Sequence, residues 1–326
     1  MVYLKKQDIK ERRNSMSENS STLFDDLISK PKPKPIVIDE DKIFDEQGKL
    51  KLLSYGLSPT AINSWYNYRP DYIKRYFLKI SGSQTFPMAV GSAFDVIVKN
   101  YLAEKLFGIK EKFGMENLNV NDGIFTNEMA IKEGQRCFDF YRSTGSLVDL
   151  IVELDYAMTE PRMELEIKDY IDGCLLVGRP DIYFIAPSGH HVVYDWKVTG
   201  KKSPNKHYIM CRPNGKRYKD DEMVNKGGFL INKDFNLEDV DPVWASQITI
   251  YAWILGEDIG AEFIAGIDQL LRHVDRVASF RCLISRGYQI ELLDKIKKMW
   301  EDLNNITVSK IYDEIEFLKS TGEWEE

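Results

Sequence analysis

The stretch from Gly178 to Lys197 constrains this chain more than any other. It reads Gly178-Arg-Pro-Asp181-Ile-Tyr-Phe-Ile-Ala-Pro-Ser-Gly-His-His-Val-Val-Tyr-Asp195-Trp-Lys197, two short apolar runs joined by the turn signal Pro187-Ser-Gly189. That pattern predicts a β-hairpin. If Ile185 pairs with His191, the same register sets Asp181 opposite Asp195, with their side chains on one face and Cβ atoms about 5 Å apart. Lys197, two residues on, points to that face as well. Facing carboxylates repel, and strands disfavour Asp. A hard divalent cation removes the conflict, because Mg²⁺ is held by one or two carboxylates plus waters and substrate phosphate. A lysine on the same face can then position a water and offset charge developing on a phosphate. The bland alternative is a surface pair between Asp195 and Lys197, with Asp181 ending a strand.

Around the hairpin, periodicity outlines a mixed α/β domain. Ser58 and Pro59 read as the N-cap and first position of a helix carrying Ile62, Trp65 and Tyr66, with a break or kink at Pro70. Further helices are expected from about Ser92 to Leu106, Asn127 to Arg142 and Val243 to Leu255, with an amphipathic one through Ile290, Leu293, Ile296, Trp300 and Leu303. Strands are expected near Leu165–Ile171, Leu175–Val177, Ile182–Ile185, His191–Trp196, Glu262–Leu270 and Val277–Ile284. Residues 1–50 read as a flexible tail with a Lys/Pro linker, Lys30-Pro-Lys-Pro-Lys-Pro35, and residues 51–326 as the folded domain.

The 326 residues carry a net charge of -7. The charge is segregated: Lys197 to Lys233 holds ten Lys/Arg and three acidic residues, leaving +7 there and -14 elsewhere. This basic insertion, at about 199–241, reads as a long loop that is either a solvated surface or a phosphate-binding element. Cys137, Cys174, Cys211 and Cys282 form no CxxC pair, which argues against a zinc knuckle and a disulfide framework. No apolar run suits a membrane span, and Met1-Val-Tyr-Leu-Lys-Lys lacks a secretory h-region, so a cytoplasmic setting, in a bacterial or phage-infected cell, is expected. His190 and His191 at the hairpin turn have no third ligand partner and read as surface or strand residues. No GxxxxGK[ST] loop is present, so ATP is not expected as a cofactor.

Gly178-x-x-Asp181, Asp195-Trp-Lys197 and Gln247-x-x-x-Tyr251, with the opening Leu57-Ser-Pro-Thr-Ala-Ile62 helix, the aromatic stretch Tyr66 to Phe77 and the Gly91 helix, resemble the PD-(D/E)XK nucleases of the RecB-like exonuclease branch, which includes phage and mitochondrial genome-maintenance exonucleases. The resemblance spans about residues 55–285. It implies a restriction-endonuclease-like core, a mixed central β-sheet flanked by helices, and metal-dependent hydrolysis of DNA. Asp181, Asp195 and the Trp196 carbonyl would hold Mg²⁺, with Mn²⁺ an alternative, and Lys197 would be the catalytic lysine. Gln247 and Tyr251, four apart on one helix face, would support the site and touch the DNA backbone, although Tyr251 could equally be core.

Where the family commonly has Gly-x-x-x-His, this chain has Gly91-Ser-Ala-Phe-Asp95. Asp95 is thus either a metal ligand or a solvated helix residue. The family's strand glutamate corresponds to Glu164 or Glu166, which register alone does not separate. The iron–sulfur staple of some relatives is not expected, given the cysteine spacing. Lys201, Lys202, Lys206, Arg212, Lys216, Arg217 and Lys219 would contact DNA phosphates at ends or single strands. A recombination or replication protein partner is a further expectation. The competing readings are a non-catalytic DNA-end-binding subunit and a structure-specific endonuclease of the same fold.

Overall fold

The hairpin forms in the expected register. A computed structural model describes residues 36–80, 82–120, 123–200, 231–232, 242–261, 263–284 and 286–324. In it β4 (Ile182–Ile185) runs antiparallel to β5 (His191–Thr199), with Ile185 opposite His191 and Ile182 opposite Tyr194. β5 lies inside a six-stranded mixed sheet of order β1-β4-β5-β7-β8-β6. Its other neighbour is β7 (Ile264–Leu271), a parallel partner that is buried throughout, followed antiparallel by β8 (Arg276–Leu283). β1 (Arg162–Met163) borders β4, and β6 (Ile231–Asn232) borders β8. Within the stretch expected as a long loop or insertion at about 199–241, Ile231–Asn232 forms an edge strand, while 201–230 and 233–241 lie outside the described residues. So do residues 1–35 and the tail reading that falls on them.

A separate two-stranded hairpin joins β2 (Ile167–Ile171) to β3 (Cys174–Gly178). Its two-residue loop, Asp172-Gly173, has positive φ at both positions (46° and 83°), as the tight hairpin turn matched to strand twist requires.

Because side chains alternate along β5, the strand divides two apolar cores. Val192, Tyr194 and Trp196 pack with Phe94 and Val98 of α5 (Phe86–Phe107), Phe138 and Tyr141 of α6 (Asn127–Ser143) and Leu150 of α7 (Ser146–Asp155). Val193 belongs to the opposite core. There it is joined by Ile62 of α3 (Pro59–Asn67), Ile248 of α8 (Pro242–Ile254), Ile296 of α9 (Arg286–Asn304) and Ile311 of α10 (Val308–Thr321). Helix α4 (Arg69–Tyr72) passes into a π-helical turn, Ile73–Phe77, whose wider winding buries both Ile73 and Phe77. None of the described helices is long and apolar enough to cross a membrane.

Three differences from the sequence expectation have physical causes. Helix α5 starts six residues before Ser92, because Pro87 in its first turn needs no N–H partner, and Gly108 ends it in the left-handed conformation (φ 68°). Residues 36–50, placed in the tail, carry Ile38, Ile43 and Leu50 into the core, with α1 (Glu40–Ile43) and α2 (Lys51–Tyr55) as short connectors. Helices α7 and α10 were not anticipated. α10 is held by a two-pronged ion pair from Arg69 to Glu314, while the Arg69 guanidinium lies 3.3 Å from the Trp65 ring centre.

Gln289 ties the sheet end to the helices. Its Oε1 accepts from Trp253 Nε1 (3.0 Å) and the Gly260 N–H (2.8 Å), and its Nε2 donates to the carbonyls of Ala261 (2.9 Å) and Ile284 (3.3 Å). The side chain is fully buried, so its loss strands several polar groups without water. Gln289→Leu is expected to lower unfolding free energy by about 2–3 kcal/mol, read as a drop in the urea midpoint at unchanged slope.

Candidate active site

Extending the β4–β5 register by one step puts Asp181 opposite Asp195 at the sheet's edge. The Trp196 N–H donates to Asp181 Oδ2 (3.1 Å), and the Glu164 N–H, just past β1, donates to the Asp181 carbonyl (3.3 Å). Glu164 adopts a left-handed backbone (φ 52°), a conformation that costs a non-glycine residue roughly 1 kcal/mol or more. Of the two glutamates, Glu164 lies toward Asp181, whereas Glu166 is exposed and pairs with Arg179 Nη2 (2.5 Å).

Helix α5 completes this half of the site. Asp95, Glu164 and Asp181 each offer a carboxylate oxygen within 4.8 Å of the others, and the Asp95 side chain is 31 % exposed. Among them sits Lys99, four residues after Asp95 and only 1 % exposed. Its Nζ lies 2.6 Å from Asp95 Oδ2 and 2.7 Å from Asp181 Oδ1, and it also pairs with Glu164 Oε1. Burial pulls the ammonium down, but Asp181, Asp95 and Glu164 outweigh it and hold Lys99 above the usual lysine range. Asp95 is raised well above an ordinary carboxylate, first by burial and then by Asp181. Asp181 is lowered: burial pushes it up, and Lys99 more than reverses that.

The other half lies under α8. Asp195 and Lys197 share the parity of Val193 and form an ion pair with each other. Gln247 bridges them, accepting from Lys197 Nζ at 2.9 Å and donating to Asp195 Oδ1 (3.4 Å) and to the Tyr251 hydroxyl (3.0 Å). Tyr251 is both core and site, its ring buried and its hydroxyl aimed at Gln247. That ring covers Gly178 so closely that any Cβ there would collide with it, which explains the glycine three residues before Asp181. Asp195 is pushed up to about 7 by burial, which together with Asp181 outweighs Lys197. Two neighbouring carboxylates thus have their proton affinities driven apart.

On the sheet's other face a buried network holds Trp196. Its Nε1 donates to the Tyr141 hydroxyl (3.2 Å), which donates to Asp268, the residue paired with Trp196 in the β5–β7 register. Lys99, Tyr141 and Asp268 were not singled out from sequence. The i, i+4 spacing of Asp95 and Lys99 was the one available signal, and it is common on solvated helices. A cleft of about 360 Å³ opens beside the acidic cluster, lined by Asp95, Lys99, Glu164, Arg179, Lys112 and Glu116 among others.

Of the remaining expected residues, Lys201, Lys202, Lys206, Arg212, Lys216, Arg217 and Lys219 lie outside the described residues. His191 Nδ1 contacts Tyr183 (2.9 Å) and Glu257 (2.5 Å), a strand role. Cys137 and Cys174 are buried, unbridged thiols. The donor set suits a hard cation: the atoms are carboxylate oxygens, and the buried Asp195 Oδ2 contacts Lys197 without accepting a well-aligned hydrogen bond.

Two outcomes follow from this geometry. Asp195 binds its proton more tightly than the ordinary carboxyl value of 3.8, so its contribution to stability is full below that value and is lost as pH rises through about 7. In EDTA, the melting temperature of wild type should fall relative to Asp195→Asn between about pH 4 and pH 7, and Mg²⁺ should close the gap; a pH-independent gap would contradict the raised affinity. Gly178→Ala must displace Tyr251, so a melting loss should accompany altered Tyr251 fluorescence or NMR shifts, and both should be smaller in a Tyr251→Leu background.

No protein-family model and no curated protein matches this chain. Several solved structures are distantly similar, two of them as follows. The "Putative exonuclease" of Eubacterium rectale is 11 % identical, with a TM-score of 0.41, over 76 % of this chain and 79 % of that one. The protein SSO0001 is 12 % identical, with a TM-score of 0.25, over 64 % and 74 % respectively.

Proposed function

We propose that this chain is a divalent-metal-dependent deoxyribonuclease with a restriction-endonuclease-like core, acting as a RecB-like exonuclease on linear DNA. The observation that carries the reading is the convergence of Asp181, Asp195 and Lys197 with Gln247 on one edge of the sheet. Asp181, Asp195 and the Trp196 carbonyl would hold Mg²⁺ or Mn²⁺, with Asp95 and Glu164 beside them. The bound ion would supply a more acidic water and neutralise charge on the phosphate.

The chain's own residues do the rest. Gln247 and Asp195 hold the Lys197 ammonium near the scissile phosphate, where it orients the attacking water and offsets the growing negative charge. Water oxygen bonds to phosphorus as the bond to the leaving sugar oxygen breaks, giving one phosphate monoester end and one hydroxyl end. Tyr251 fixes Gln247, and Tyr141 with Asp268 fixes Trp196. Lys112 and Arg179 in the cleft, together with the basic residues from Lys201 to Lys219, would hold DNA phosphates, making affinity fall steeply with salt.

One observation favours a DNA-end-binding subunit as the second reading: a buried lysine already compensates part of the acidic cluster. End-labelled linear DNA and closed circular DNA, incubated with Mg²⁺, Mn²⁺ or EDTA, separate the two. Metal-dependent shortening of linear DNA with circles intact is expected, and Lys197→Ala should lower the rate by about 10²-fold or more. Linear DNA that survives every metal yet is retarded in a low-salt gel would replace the nuclease by the binding subunit. Cutting of circles would make it an endonuclease.

A further inference from the structure

Lys99 is the charged side chain that the proposed hydrolysis leaves without a task. It is also buried among three carboxylates whose oxygens are spaced as a cation's ligands would be. We infer that the Lys99 ammonium permanently fills a cation position beside the Asp181–Asp195 metal position, so that the chain takes one divalent ion where the carboxylates alone would take two. This inference rests on the nuclease reading for the first ion only.

Charge and space both support it. With all four ionised, as they would be around a bound cation, Asp95, Glu164, Asp181 and Asp195 bring four negative charges to the edge of β5, and Lys99 and Lys197 return two positive ones. The deficit is what a single divalent ion carries. Arg179 pairs with both Glu164 (3.5 Å) and Glu166 (2.5 Å), and counting Arg179 together with Glu166 leaves the deficit at two. Nor can an ion share the pocket with the ammonium. Mg²⁺ needs oxygens at about 2.0–2.1 Å, and Lys99 Nζ already lies at 2.6 and 2.7 Å from Asp95 and Asp181. The lysine is itself 1 % exposed, and taking it out leaves three clustered, partly buried carboxylates uncompensated. A metal entering in its place would restore that compensation.

The test is Mn²⁺ stoichiometry on the full chain, by calorimetry and by electron paramagnetic resonance, for wild type, Lys99→Arg and Lys99→Met. One Mn²⁺ is expected in wild type and in Lys99→Arg. Two are expected in Lys99→Met, with spin–spin broadening between them, and the second should disappear in Lys99→Met/Glu164→Gln. Mg²⁺ should also raise the melting temperature of Lys99→Met more than that of wild type. Two Mn²⁺ in wild type, or one in a folded Lys99→Met, overturns the inference while leaving DNA cleavage untouched. No Mn²⁺ in wild type but one in Lys99→Met supports the lysine's role and removes the nuclease reading. If Lys99→Met does not fold, the wild-type count still decides, one supporting and two overturning.

Discussion

A buried ammonium persists only where carboxylates repay its lost hydration, and Lys99 is held by three. That interaction joins parts of the chain with little else in common. Asp95 and Lys99 come from α5, Glu164 from the segment after β1, and Asp181 from the turn into β4. Together they pin a helix to a sheet edge, at the place where the strand pair would otherwise suffer facing negative charges. The left-handed backbone of Glu164 and the close approach of Tyr251 to Gly178 occur at this same edge. Both are local costs, and they are bearable because each flanks a well-packed core.

Strand β5 turns this edge into a site. Its even residues, Tyr194 and Trp196, face α5 and α6, and its odd residues, Asp195 and Lys197, face α8. The Trp196 N–H meets Asp181 while its indole is fixed by Tyr141 and Asp268 from behind. From the other side Gln247 spans Lys197 and Asp195 with its two amide atoms, each fitting one charge. An amide serves here where a carboxylate or an ammonium would not, because it can accept from the lysine and donate to the aspartate at once.

What could be read from sequence follows the range of the interaction. The hairpin register was legible because period-two alternation and a short turn leave few pairings. Gln247 and Tyr251 could be paired because four residues make one helical turn. Glu164 could not be separated from Glu166, since strand alternation puts residues two apart on one face, and the positive φ at Glu164 that turns it toward Asp181 has no signal in the sequence. Lys99, Tyr141, Asp268 and Gln289 were hidden for a different reason. Their distant partners lie 82, 55, 127 and 36 residues away respectively, and a lone polar residue in an apolar helix or strand looks like a solvated one until the fold closes over it. Ile38, Ile43 and Leu50 were lost to the polar composition around them, although three apolar residues suffice to dock a connector.

The opposing shifts of Asp181 and Asp195 make physical sense of the division between the two lysines. Lys99 sits against Asp181 and holds its proton affinity down against the cost of desolvation, whereas Lys197 does not prevent Asp195 from rising to about 7. The difference lies in what surrounds each ammonium. Lys99 is buried and fixed by carboxylates on several sides, so its charge is constant. Lys197 is partly exposed, at 19 %, and shares its protons with the neutral Gln247 oxygen. A fixed charge defines where cations can sit, and a more loosely held one is free to turn toward a phosphate. One lysine therefore belongs to the architecture of the acidic edge and the other to whatever approaches it.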